Sequence, residues 1–474
     1  MTRKPRDAAA APARTPARAA VRKGERVELE LARLDDDGAG VGTLPASGAG
    51  TGGPALEVHV ARALPGERVQ ARIDHVSPHR PEAWATLVTI TRESPTRVPT
   101  ACVPFGHCGG CVLQHLAYPA QLEAKQAELA RTLGPALAAA GVAVPAVTAS
   151  PLTLGYRNKA KYVVGPDRAG RLVLGSYLPR SHDLVDMAGC QVIEPVLEAA
   201  AAALTTLARD QGAGSLRHVV LRANAAGRVL AVLVAARARD PEVAALGAAL
   251  GARADLGIAG VVLHVHAAAG DAIFGPGPFV ALAGADALED VIGDVRLHLS
   301  AGAFFQVNRD QAAQLYAAVR AAAELRATDH VVELYAGVAG ISLTLASAVA
   351  RVTAVEEHAG AAADARASVA LSGAGNVEVS EADAAAWLAS HPDVRPDVVI
   401  VDPPRKGLAA AIVPALAARR PRAILYVSCN PASLARDLTA FAAVGYLPTH
   451  AAAFDLFPHT PHIETLIRLE PRTT

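Results

Sequence analysis

From residue 329 onward the chain repeats one unit: a short apolar strand, a turn, then a helix. Asp329 to Leu334 reads as a strand, a Gly-containing loop follows, and a helix begins near Ile341. Val352 to Val355 precedes a helix over residues 360–372. Asp397 to Val401 runs into Asp402-Pro403-Pro404-Arg405, and Ala423 to Val427 into Ser428-Cys429-Asn430-Pro431. Parallel strands cannot be joined by tight hairpins, so apolar strands alternating with helices predict a parallel, doubly wound α/β sheet. Such sheets bind ligands at the carboxyl ends of their strands. Every chemically distinctive residue of this half falls at one of those ends.

The first strand closes on Glu333-Leu334-Tyr335-Ala336-Gly337-Val338-Ala339-Gly340. Glycines there let backbone approach a ligand closely, and the loop opens onto a helix N-terminus. Glu356 ends the next strand, where a carboxylate can accept hydrogen bonds from ribose hydroxyls. The pair suits an adenosine-containing cofactor, of either the dinucleotide or the adenosylmethionine type. Asp402 is followed by two prolines, which lack amide donors and hold the backbone extended as a rigid rim. Cys429 sits in a turn of Ser, Asn and Pro, a poor place for core packing. A thiolate is a competent nucleophile there, and nearby positive charge or a helix N-terminus lowers a thiol pKa. Glu464 opens ETLIRL, read as a last strand at the sheet's edge, and could remove a proton beside the nucleophile.

The N-terminal half is different. Arg26 to Leu34 alternates apolar and polar residues as a strand does. A turn-forming run at 35–42 and a Gly-rich loop to Pro54 follow, then strand-like runs at 56–60, 68–73 and 85–90. Several short strands with Gly/Pro turns predict a small closed barrel, a class that commonly carries nucleic acid. A helical pattern runs from about Tyr118 to Ala140, with the option of packing on the catalytic domain. Residues 156–290 alternate strand-like runs with alanine-rich helices and read as an α+β middle domain.

At 474 residues the chain is too long for one ordinary core, and its even charge of 45 basic and 45 acidic residues gives no general pull toward nucleic acid. The first 23 residues are an exception, with a basic, Ala/Pro-rich composition expected to be a disordered tail. No stretch reaches the roughly 20 apolar residues of a membrane helix, and no secretory signal opens the chain, so cytoplasm is the expected location. Five cysteines occur, and Cys102, Cys108 and Cys111 are crowded within ten positions. With the distant Cys190 they offer four thiolates, a set that holds either zinc or an iron–sulfur cluster. The single short C-x2-C spacing favours iron–sulfur over zinc.

Together these motifs resemble the RNA 5-methyluridine methyltransferases. The most specific segments are FFQVN (residues 304–308), DPPRKGL, SCNP and HIETL, in that order, and the resemblance runs from about residue 26 to the end. The cysteines within CVPFGHCGGCVLQHL, with Cys190, are similar to those of the 23S ribosomal RNA branch, which carries a [4Fe-4S] cluster. VARALPGERV (residues 60–69) is similar to that branch's TRAM barrel, an RNA-binding module.

After the basic tail over 1–23, the resemblance implies a TRAM barrel over 24–93, a central RNA-binding domain with the cysteine site over 94–300, and a Rossmann-like methyltransferase domain over 301–474. It implies that Gln306, Tyr335, Gly337, Glu356, Asp383 and Asp402 contact S-adenosylmethionine, that Cys429 is the nucleophile and that Glu464 takes the proton from uracil carbon 5. Cys102, Cys108, Cys111 and Cys190 would bind the cluster. One departure is Ala339, where the family usually has a second glycine, and its methyl is expected to tighten the cofactor loop. The expected substrate is ribosomal RNA and the expected state a monomer. Two alternatives stay open: a tRNA methyltransferase, and a metal-bearing RNA-binding protein whose methyltransferase domain is inactive.

Overall fold

A computed structural model describes residues 21–45, 55–179, 181–268 and 272–472, so most of the expected basic tail lies outside the described residues. The described part falls into two compact units, divided between Arg97 and Val98.

The first unit is a closed barrel of β1 (Arg26–Leu34), β2 (Gly40–Leu44), β3 (Leu56–Val60), β4 (Arg68–Val76) and β5 (Glu82–Arg92), in the order β1-β2-β3-β5-β4. Alternation sends Val69, Ala71 and Ile73 of β4 inward against Val58, Val60, Ala83 and Ala85. Residues 40–44 were expected to be turn and loop, yet they pair with both β1 and β3. Their Gly-rich composition hides the strand. At Gly42 a Cβ would stand 2.5 Å from the Glu30 carbonyl oxygen, so only glycine lets the strands approach this closely.

The second unit begins with α1 (Tyr118–Ala139) and the two-residue β6 (Val147–Thr148). A seven-stranded sheet follows, built from β7 (Lys159–Pro166), β8 (Leu172–Tyr177), β9 (Leu184–Asp186), β10 (Leu216–Ala223), β11 (Val229–Ala235), β12 (Ile258–Val265) and β13 (Phe279–Gly284). Helices α2 (Pro195–Gln211) and α3 (Pro241–Gly251) cover one of its faces with Leu197, Leu204, Val243 and Leu246. A hairpin of β14 (Ala287–Ile292) and β15 (Val295–Ser300) leads to α4 (Arg309–Ala323).

The C-terminal sheet carries the repeating unit: β16 (His330–Leu334), α5 (Gly340–Ala346), β17 (Arg351–Glu356), α6 (Ala359–Ser372), β18 (Val377–Glu381), α7 (Ala384–Ser390), β19 (Val398–Val401), α8 (Ile412–Arg419), β20 (Ala423–Ser428) and α9 (Pro431–Ala443), then β21 (Tyr446–Phe454) and β22 (Glu464–Pro471). Its order is β18-β17-β16-β19-β20-β22-β21-β6. The first five strands are parallel, and the central β19 and β20 are nearly all apolar and wholly buried, as strands covered on both faces must be.

One expectation fails here. Strand β22 is not at the edge but lies between β20 and β21, antiparallel to both. The strand outside it, YLPTHAAAF, contains a proline and little apolar alternation, so it carries no strand signal of its own. The leucines of α1 (Leu129, Leu133 and Leu137) pack with Leu434, Leu438 and Phe441 of α9, so this helix belongs to the core of the C-terminal sheet.

Candidate active site

The pairing of β20 with β22 sets the site. Val427 faces Leu466 and Ser428 faces Thr465. The ladder ends there, with Cys429 following β20 and Glu464 opening β22 at that same end, and the Glu464 charge acts on the Cys429 thiol. Asp402 follows β19, the other neighbour of β20, and its amide donates to the Leu334 carbonyl at 3.4 Å. Three ionisable groups thus meet at one sheet edge.

Their electrostatics are mutual. Burial pushes the Cys429 thiol up to about 11, the carboxylates of Glu464 and Asp402 push it the same way, and Arg405 opposes them. Burial lifts Asp402 to about 7. Glu464, buried at the head of β22, is held well above the usual carboxylate range by desolvation and then by Asp402, again against Arg405. Few charges of one sign can be kept together without water, so protons are retained. Arg405 was not singled out among the expected site residues, although it stands in the DPPR motif. Its guanidinium reaches His462 Nδ1 at 3.1 Å, and its carbonyl accepts from Asn430 Nδ2 at 2.9 Å. Asn430 also caps α9, accepting from the Ala432 amide at 3.0 Å. One asparagine therefore ties the proline rim to the cysteine turn.

The loop after β16 is strained. Tyr335, Gly337 and Ala339 have φ values of 66°, 54° and 63°, in the left-handed region that costs a non-glycine residue about 1–2 kcal/mol. Glu356 holds this loop: its two carboxylate oxygens accept from the Gly337 and His358 amides, both at 2.8 Å. Asp383 caps α7 by accepting from the Ala386 amide at 2.9 Å, and its charge acts on Tyr335. The Ala339 methyl is fully buried with Ala336, Ala354 and Ala365 in a small alanine cluster. Gln306 lies in the segment that leads into α4. Its backbone is what the structure fixes, the carbonyl accepting from Asn158 Nδ2 at 3.0 Å, while Asn308 caps α4 and anchors the segment to Leu456.

Two buried groups escaped the sequence reading. Tyr316 of α4 lies where the charges of Asp402, Glu333 and Glu464 all raise its pKa, after burial itself. Nothing in a lone tyrosine on an amphipathic helix announces this. Glu333 is buried on β16 and accepts from the Ser342 amide at 2.8 Å and from the Ser342 hydroxyl. Burial pushes it up to about 8 against those bonds, so between about 4.5 and 8 the folded chain binds a proton that the unfolded chain has lost. Stability contributed by the protonated form therefore falls as pH rises through that window. Glu333→Gln should flatten part of this fall in the melting temperature measured from pH 5 to 8; an unchanged slope would refute the assignment.

The four N-terminal-half cysteines are free thiols, each partly buried. Cys111 is pushed up to about 12, first by burial and then by Cys190, with smaller effects of Cys108 and Cys102. Burial also raises Cys102 and Cys190, whose remaining causes include the other thiols. The donor chemistry suits a soft cation, since four mutually repelling thiolates would be neutralised by it. Among the described residues, no group of three or more His, Cys, Asp or Glu is arranged to hold a metal ion. No helix among them is long and apolar enough to cross a membrane.

Comparison with known proteins points to one family. Residues 293–472 match the family described as tRNA (uracil-5-)-methyltransferase. An uncharacterized RNA methyltransferase of Gloeobacter violaceus is 34% identical over 462 residues, covering 95% of this chain and 98% of that protein. One from Thermosynechococcus vestitus is 35% identical over 460 residues, covering 94% and 98%. Among solved structures, the Pyrococcus abyssi tRNA (uracil-54, C5)-methyltransferase in complex with S-adenosyl-L-homocysteine is similar, with a TM-score of 0.73 and 25% identity over 94% of this chain and all of that one.

Proposed function

Because the chain belongs to the RNA uracil-5-methyltransferase family, whose members act with S-adenosylmethionine, we propose that Cys429 and Glu464 carry the reaction through a covalent adduct on the uracil ring. The observation that supports this most is the β20–β22 pairing, which ends beside Cys429 and Glu464, where the buried carboxylate acts on the thiol. Carbon 5 of uracil is too weak a nucleophile to take a methyl group unaided. The Cys429 thiolate adds to carbon 6, and the electrons of the 5,6 double bond move toward carbon 5 and oxygen 4. S-adenosylmethionine, which the residues of the loop after β16 would hold, would supply the methyl from its sulfonium, the S–CH3 bond breaking to leave the neutral thioether S-adenosylhomocysteine.

Once carbon 5 has taken that methyl, Glu464 accepts its remaining proton. The released pair restores the double bond as the carbon 6–sulfur bond breaks and the thiolate leaves. Covalent catalysis thereby divides one hard step into easier ones.

Within this reading Tyr335, Gly337, Glu356 and Asp383 line the adenosine side, while Gln306 and Asp402 sit on the methyl and base side. The target base is flipped or already unpaired, at a cost of a few kcal/mol. The barrel and middle sheet would hold the flanking RNA.

The proposed substrate is 23S ribosomal RNA, supported by the cysteine set and the barrel. The second reading is transfer RNA, favoured by the likeness to the Pyrococcus enzyme. Mapping 5-methyluridine in both RNAs from cells lacking the protein separates them. RNA carrying 5-fluorouridine tests the chemistry, because Glu464 cannot remove fluorine: the native enzyme should form a stable protein–RNA adduct. Its absence sinks the covalent step.

Cys102, Cys108, Cys111 and Cys190 are proposed to hold a [4Fe-4S] cluster with a structural role, since no redox step occurs in the chemistry. Protein purified without oxygen should contain about four iron atoms and as many sulfides per chain, and Cys111→Ser should lose them. Stoichiometric zinc in their place would refute the cluster.

A further inference from the structure

The segment 455–463, which delivers the chain to Glu464, is fastened by polar side chains from the buried face of α1. Residues Gln121, Lys125, Leu129, Leu133 and Leu137 form one buried stripe of that helix, each a turn from the next. The leucines pack in the core, as such a stripe should. Gln121 and Lys125 are as deeply buried, at 0% and 2% exposure. Polar groups so placed cost free energy unless hydrogen-bonded, and both find their partners in the same segment or beside it.

Lys125 Nζ donates to Asp455 Oδ1 at 2.6 Å and to the Phe457 carbonyl at 3.2 Å. Gln121 Oε1 accepts from the His459 amide at 2.8 Å. Its Nε2 donates to the carbonyls of Leu113 at 3.1 Å and Leu116 at 2.8 Å, and lies 3.2 Å from His459 Nδ1. The Leu113 amide in turn donates to the His459 carbonyl at 2.9 Å. His459 itself is held at a φ of 66°, a conformation that persists only when its surroundings over-determine it.

We propose that Gln121 is a positioning residue for methylation: by fixing the His459 turn it sets the direction of Glu464, and it makes that turn one unit with the segment bearing Cys111. The inference rests on reading Glu464 as the base. Gln121 touches no reacting atom, and it acts by locking the turn that feeds β22. A shift of about 1 Å in a base costs on the order of 10²-fold in rate.

The test uses the full chain with native RNA. Gln121→Met keeps the volume and removes the hydrogen bonds. It should melt as a folded protein, bind S-adenosylhomocysteine and RNA as the native chain does, and form the 5-fluorouridine adduct normally. Its kcat should fall about 10- to 100-fold with KM unchanged, and an adduct with ordinary RNA should accumulate because proton removal is slowed. Should Gln121→Met not fold, Gln121→Asn, one methylene short, takes its place with the same readouts. Glu464→Gln is run beside it. If Glu464→Gln stalls with adduct and the Gln121 variant stalls likewise, the proposal stands. If Glu464→Gln stalls while the folded Gln121 variant keeps kcat within about 3-fold, the role of Gln121 alone is overturned. Normal turnover by Glu464→Gln overturns both.

Discussion

Cys429→Ala should abolish methyl transfer to RNA, by about 10⁴-fold or more, while leaving S-adenosylhomocysteine affinity within a few-fold of native. The loss is large because nothing else at the sheet edge can add to carbon 6. Asp402 and Glu464 are carboxyls held toward their protonated forms, and the Ser428 hydroxyl is already engaged with Asn430. The fold should be indifferent, since the turn is built by Ser428, Asn430 and the cap of α9 and not by the thiol. A pH signature accompanies the assignment. With burial and the nearby carboxylates pushing the thiol up to about 11, alkylation of Cys429 should be slow at neutral pH and climb steadily above pH 8. Arg405→Ala removes the one cation that opposes this rise and should slow alkylation further at any given pH. Methyl transfer by Cys429→Ala within tenfold of native would end the covalent mechanism.

Glu464→Gln should lower turnover by about 10²–10⁴-fold, the usual worth of a positioned general base, and trap a covalent adduct on ordinary, unfluorinated RNA. The adduct is the decisive readout, because a merely misfolded protein would not form one. The raised pKa of Glu464 makes two further demands of opposite sign. The buried carboxyl keeps its proton well above its ordinary range, so native stability attributable to it is present at low pH and is lost as pH rises through the folded pKa. Glutamine has no proton to lose, and the variant should therefore gain stability over the native protein at alkaline pH. Turnover runs the other way, because the base must be ionised to act: native kcat should increase with pH until Glu464 is deprotonated in the complex. A sulfonium cation bound nearby would draw that pKa down. A variant that melts identically to native at pH 9 would count against the buried, protonated carboxyl.

Several features were legible in the residues because they are local. Strand β1 and strand β3 have the bounds that their alternation gives, and four of the five parallel strands of the C-terminal sheet fall within a residue or two of their apolar runs, while β18 (VEVSE) has no such run. Strand β2 was hidden because its glycines carry no pattern, and β21 because PTHAAA lacks one. Ala339 was legible as a departure but not as to its consequence. The sequence shows a methyl where a glycine is usual, whereas only the packing shows that methyl turned into an alanine cluster.

The residues by themselves determined which strand ends hold the chemistry. Crossovers between parallel strands are right-handed and return in one direction, so every motif that follows an apolar strand must emerge on the same edge. What faces what on that edge was decided by tertiary structure. Glu464 comes near Cys429 only because β22 inserts between β20 and β21, and the His459 turn is locked by Gln121 from 338 positions away in the chain. Periodicity records whether a segment is strand or helix and which face is apolar. Partners so distant are selected by the summed burial of whole elements, a quantity that no short window of sequence contains.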